Sequence, residues 1–94
     1  MTIETTVFTF QISNTFEEWA KIFDSPEIDE FHKTVGLTSL YRGKALTDSK
    51  EVTVIHQAEE GVAKNIFPDP ETIKTIEAGG HIYSTTKIIS WLSN

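Results

Sequence analysis

Phe23-Asp24-Ser25-Pro26-Glu27, running on to Gly36, returns 44 residues later as Phe67-Pro68-Asp69-Pro70-Glu71, running on to Gly80. Each copy restarts a helix. A short polar residue, Ser25 or Asp69, caps free N–H groups, and Pro26 or Pro70 fits the first helical position. Glu27 and Glu71 follow where the helix dipole is positive. Gly36 and Gly80 suit the left-handed residue that ends a helix. Ile22-Phe23 and Ile66-Phe67 precede the restarts, so both copies encode a kinked helix pair anchored on the same face. The chain reads as one unit written twice.

Working outward, each helix pair lies between strands. Residues 5–12 alternate, with Phe8, Phe10 and Ile12 on one side, as in a half-buried strand. Asn14 to Glu17 and Thr15 to Glu18 both have capping-box spacing. Phe16, Trp19, Ala20 and Phe23 then fall on one helical face. Residues 37–44 predict a second strand and 51–58 a third, in which Val52, Val54 and His56 stand 44 residues from Phe8, Phe10 and Ile12. The last strand runs from residue 81 or 82 to 92, with Tyr83, Ile89 and Trp91 expected on one face and Ile82, Ile88 and Leu92 on the other. The order βαββαβ predicts an α+β, ferredoxin-like fold in which two helical layers cover one face of a four-stranded antiparallel sheet. The open face would display either Ile55, Ile89 and Trp91 or Phe8, Val54 and Leu92. Either set calls for a partner, so a twofold homodimer through the open sheet face is expected.

Composition narrows the function classes. The chain has 94 residues, read as one domain over 1–94, with a net charge of −6 and no run of Lys or Arg. That balance argues against nucleic acid. There is no cysteine, hence no disulfide framework, thiolate metal site or Cys nucleophile. No apolar run reaches the ~18 residues of a membrane span and no signal-peptide pattern opens the sequence, so a cytoplasmic protein is expected.

The spacing Phe16-x-x-Trp19-x-x-x-Phe23, Gly36, Tyr41-Arg42-Gly43, Glu51-Val52-Thr53-Val54, Phe67-x-Asp69-Pro70 and Ala78-Gly79 resembles that of small dimeric α/β-barrel proteins. Antibiotic-biosynthesis-type monooxygenases and stress-responsive barrel domains belong to that superfamily. Within it, the chain is most similar to a group of short uncharacterised cyanobacterial proteins. The resemblance implies the fold and a dimer, and no reaction.

The candidate site residues are His56, Tyr41, Arg42 and Trp91. His56 interrupts an apolar stripe on a central strand, where an imidazole can act as a general base; a satisfied strand-end histidine is the plainer role. Tyr41 and Arg42 are strand neighbours and point to opposite faces, one toward a cavity and the other toward a rim. Trp91 and the other aromatics suffice to line a pocket, though such spacing equally suits a core. His32 and His81 lie near helix ends, where capping or surface roles are expected. With His32, His56 and His81 so spaced, no metal site is expected, and no cofactor motif is present. The leading expectation is a dimeric barrel holding a small apolar organic ligand, with no assigned chemistry. The alternatives are a cofactor-independent monooxygenase or isomerase acting on an aromatic substrate, and a stress-response or scaffolding protein that binds another protein.

Overall fold

A computed structural model describes residues 2–93. The elements follow the order β1 (Ile3–Ile12), α1 (Phe16–Phe23), α2 (Pro26–Val35), β2 (Thr38–Lys44), β3 (Glu51–Glu59), α3 (Val62–Ile66), α4 (Pro70–Ala78) and β4 (His81–Ser93). The strands form one antiparallel sheet in the order β2-β3-β1-β4, so the α+β ferredoxin-like expectation is met. Local chemistry fixes the helix ends. Thr15 and Glu18 complete the capping box of α1, while Asn14, the other capping candidate, donates from Nδ2 to the Gly79 carbonyl at 3.0 Å. Ser25 caps α2 and Asp69 caps α4, each with proline in the first turn. Gly36 and Gly80 both take positive φ, at 83° and 103°.

The repeat becomes a local twofold axis. Thr9 and Thr53, equivalent residues of the two copies, pair with each other across β1 and β3, and their Oγ1 atoms lie 3.4 Å apart. Phe8 pairs with Val54 and Phe10 with Val52, the register such an axis requires. Trp19, Phe8, Phe10, Ile12, Val52 and Val54 form the core between the sheet and the helices. Full burial of each large side chain contributes ~1.5–3 kcal/mol.

Phe8 and Val54 lie beneath the helices, which selects the alternative open face. There a single apolar row crosses all four strands, as Tyr41 pairs with Ile55, Ile55 with Val7, and Val7 with Ile89. Trp91 stands beside this row, opposite Thr5, and is 63% exposed. One expectation about β4 is corrected. Between the pairs Thr9–Lys87 and Gln11–Ile82, β1 advances two residues while β4 uses five. The three extra residues are an odd number, and an odd insertion reverses which side faces the helices. Tyr83 therefore stacks on Phe67, at 4.8 Å between centroids, on the helical side, away from Ile89 and Trp91. No helix among the described residues is long and apolar enough to cross a membrane.

Candidate functional site

Between the sheet and the helices lies a cavity of about 90 Å³. One water needs only ~10–15 Å³ on this kind of measure, whereas ordinary ligand pockets begin near ~300 Å³. Part of the hollow follows from unequal halves. Where the first copy has Phe8, Phe10, Trp19 and Phe31, the second has Val52, Val54, Ala63 and Thr75. Helix α2 forms one wall with Ile28, Phe31 and His32, yet has no fully buried residue. Few interactions hold it down, so it is the wall best able to shift. Ile22, Ile28, Thr75 and Gly79 line both the cavity and a shallow outer groove, so the cavity opens through the seam between α2 and α4.

Among the described residues no Asp, Glu, Lys or Arg lines the cavity. Its polar side chains are Thr72, Thr75 and the three histidines. His56 is 7% exposed and ringed by aromatics, with centroids of Phe8, Phe23 and His32 at 5.6, 6.1 and 4.8 Å. Its Nδ1 is buried without a hydrogen-bond partner. A buried imidazole resists charging, and burial followed by repulsion from His32 pushes the His56 pKa down to about 3. Burial likewise lowers His32, against the opposing pull of Asp29. His81 stacks on Phe10 at 3.6 Å, and burial lowers it to about 4. Unlike His56 it is satisfied. The Thr86 hydroxyl donates its one proton to the Tyr83 carbonyl, so it accepts from His81 Nε2–H at 2.7 Å.

The four candidate residues do not converge. His56 faces the cavity. Tyr41 lies on the opposite sheet face, its ring packed over Gly43, and Trp91 shares that face. Arg42 sits at the outer rim, where its Nε–H donates to Asp24 Oδ1 at 2.8 Å in a two-pronged ion pair, and its guanidinium lies over Phe16. His32 and His81 depart from their expected capping or surface roles, because helix α2 and the start of β4 turn both inward to the cavity. Comparison of the two sequence copies carries a signal that finds them. Under the 44-residue offset His32, His56 and His81 stand opposite Ile76, Ile12 and Leu37, so each interrupts a position the fold otherwise fills with an apolar side chain. No group of three or more His, Cys, Asp or Glu able to hold a metal occurs among the described residues.

Residues 3–93 match a family described as a domain of unknown function, DUF3764. A search of curated proteins by sequence finds no significant match. Among solved structures, the chain is similar to a Streptomyces coelicolor monooxygenase in complex with nanaomycin D, with TM-score 0.61 and 18% identity over 97% of this chain and 87% of that one. It is similar to SnoaB, a cofactor-independent oxygenase from Streptomyces nogalater, with TM-score 0.60 and 12% identity over 98% and 91%. A dimeric ferredoxin-like protein of unknown function from Bacteroides fragilis gives TM-score 0.59 and 10% identity over 95% and 94%. At these identities the likeness is one of fold alone, the ferredoxin-like fold.

Proposed function

The chain belongs to the DUF3764 family, and from its cavity we propose that it binds a small, largely apolar organic molecule between the sheet and the helices, as a homodimer closed through the open sheet face. The observation that carries the ligand reading is an apolar cavity, free of charged side chains, that contains a nine-tenths-buried imidazole with an unpartnered Nδ1. Leaving such a group unmet costs ~1–3 kcal/mol, which a ligand's polar atom would recover. The dimer is supported by the Tyr41-Ile55-Val7-Ile89 row with Trp91 beside it, and by the dimeric Bacteroides fragilis neighbour. In this reading residues 1–94 act as one cytoplasmic domain. The grouping with short cyanobacterial proteins that the sequence resemblance implies stays part of this proposal and adds no chemistry to it.

A second reading is a cofactor-independent oxygenase with His56 as general base, and the neighbours described as oxygenases favour it. It is the weaker one. An imidazole whose pKa is about 3 accepts protons poorly at neutral pH, and Tyr41 and Arg42 are not at hand to orient a substrate.

Two measurements test the first reading. Native mass spectrometry is expected to give a dimer, and a monomer would contradict the sheet-to-sheet association. Toluene, followed by NMR of the protein's aromatic resonances, is expected to bind with shifts at Phe8, Phe23 and Phe31; the absence of binding would contradict the cavity as a ligand site.

A further inference from the structure

We propose that His32 and His56 together form the specificity pole of this cavity, selecting a neutral ring that carries a hydroxyl group. The inference rests on the small-ligand reading above and adds the chemistry of the ligand to it. Three observations lead there.

The first is the broken symmetry. The two copies of the repeat fold alike, yet at the positions equivalent to His32 and His56 the other copy carries Ile76 and Ile12. Ile12 is 2% exposed, so this fold packs an isoleucine there without difficulty. An imidazole pair is therefore not something the fold needs for packing. The second is convergence. The pair comes from a helix and a strand distant in sequence, and the rings meet edge to face at 4.8 Å on the cavity wall. The third is the contrast with His81. That ring has its polar atom matched by Thr86, whereas His56 Nδ1 has no partner among the described residues.

The class of ligand follows from what faces the pair. Phe8, Phe23 and Phe31 supply aromatic walls, which suit a flat ring. Among the described residues no charged side chain lines the cavity, so a carboxylate or ammonium would be buried without a counter-charge, at high cost. A neutral imidazole has one N–H and one lone-pair nitrogen, and a hydroxyl both donates and accepts, so it can satisfy Nδ1 in either tautomer. At about 90 Å³ the cavity is smaller than the ~150 Å³ that holds benzene, so the proposal requires α2, the wall with no fully buried residue, to give way by that difference. The seam between α2 and α4, bordered by Ile28 and Thr75, supplies the way in.

The experiment compares phenol, toluene and benzoate as probes on the full-length protein by calorimetry at pH 7. Phenol is expected to bind about tenfold more tightly than toluene, the size of one net hydrogen bond, and benzoate to bind more weakly than either. His56→Ile and His32→Ile copy the other half of the chain and are expected to bring phenol down to the affinity of toluene while leaving toluene within about threefold of its original value. Toluene binding without any preference for phenol would overturn the proposal and leave the small-ligand reading standing. A phenol preference that survives in both folded variants would also overturn it. Failure of all three probes to bind the unaltered protein would overturn both, and this comparison needs no variant to fold.

Discussion

Phe8, Phe10 and Ile12 in the first half of the chain and Val52, Val54 and His56 in the second occupy equivalent places on the two central strands, around one local twofold axis. The first set is bulky and closed. The second is smaller, and it ends in an imidazole that lacks a partner. The helices repeat the contrast, with Trp19 and Phe31 in one half against Ala63 and Thr75 in the other. A protein built from two like units thus takes bulk from one half and space from the other, and His32 of the first half meets His56 of the second in the wall of the hollow between them. What separates the halves is side-chain volume and hydrogen-bonding capacity, since the backbone plan is shared.

The largest consequence is in stability. Phe10 is 3% exposed, and Phe10→Ala is expected to cost ~3–5 kcal/mol by transfer and cavity terms. Val54→Ala, which deletes less volume beside an existing hollow, is expected to cost less. Urea midpoints at constant slope measure both, and equal losses would erase the proposed inequality. At the next level, His56→Ile is expected to raise stability at pH 7 by ~1–3 kcal/mol, because it removes an unpartnered buried polar group. His81→Ile is expected to lower it, since Thr86 loses its donor. A loss at both sites would show that His56 is satisfied after all.

Acid sharpens the same contrast. His56 has a folded pKa of about 3 and His81 of about 4, both below the ~6.5 of an unfolded chain. Depressed values mean that the unfolded state takes up protons first. Stability is therefore whole above pH ~6.5 and falls as the pH drops toward the folded values. His56→Ile is expected to flatten that fall in a pH series of urea melts; an unchanged slope would show that His56 does not stay neutral in the fold. The smallest effects concern the shared plan. Ser25→Ala and Asp69→Ala, the two helix caps, are each expected to cost ~1 kcal/mol, with Asp69 the larger because its hydrogen bond is 2.9 Å against 3.4 Å and its charge favours the helix start. A large cost at one cap and none at the other would mean that the restarts are not equivalent.

Much of this architecture was legible in the sequence. Alternation gave the strands, proline and glycine placed the helix restarts, and the 44-residue offset marked the two like units; that they meet through β1 and β3 around Thr9 and Thr53 is seen only in the fold. The faces of β4 were not legible, because the three-residue excess before Lys87 depends on hydrogen bonds such as Gln11 N–H to Thr85 Oγ1 that alternation does not encode. The site was half legible. His56 stood out from its stripe, but residue type alone made Tyr41, Arg42 and Trp91 candidates beside it: Tyr41 and Trp91 lie on the far face of the sheet, and Asp24 holds Arg42 at the rim. His32 belonged with His56 through a tertiary contact that only the opposed Ile76 and Ile12 hinted at.

The most direct test of a polar pole that breaks the symmetry of the fold is an imidazole NMR titration of the protein with phenol, with the ring nitrogens of His32, His56 and His81 resolved. Shifts are predicted at the His56 and His32 nitrogens with saturation at a common affinity, and His81 is predicted to stay near its starting position because Thr86 already holds it. Equal shifts at all three histidines, or no shift at His56 and His32 while phenol binds, would contradict the account.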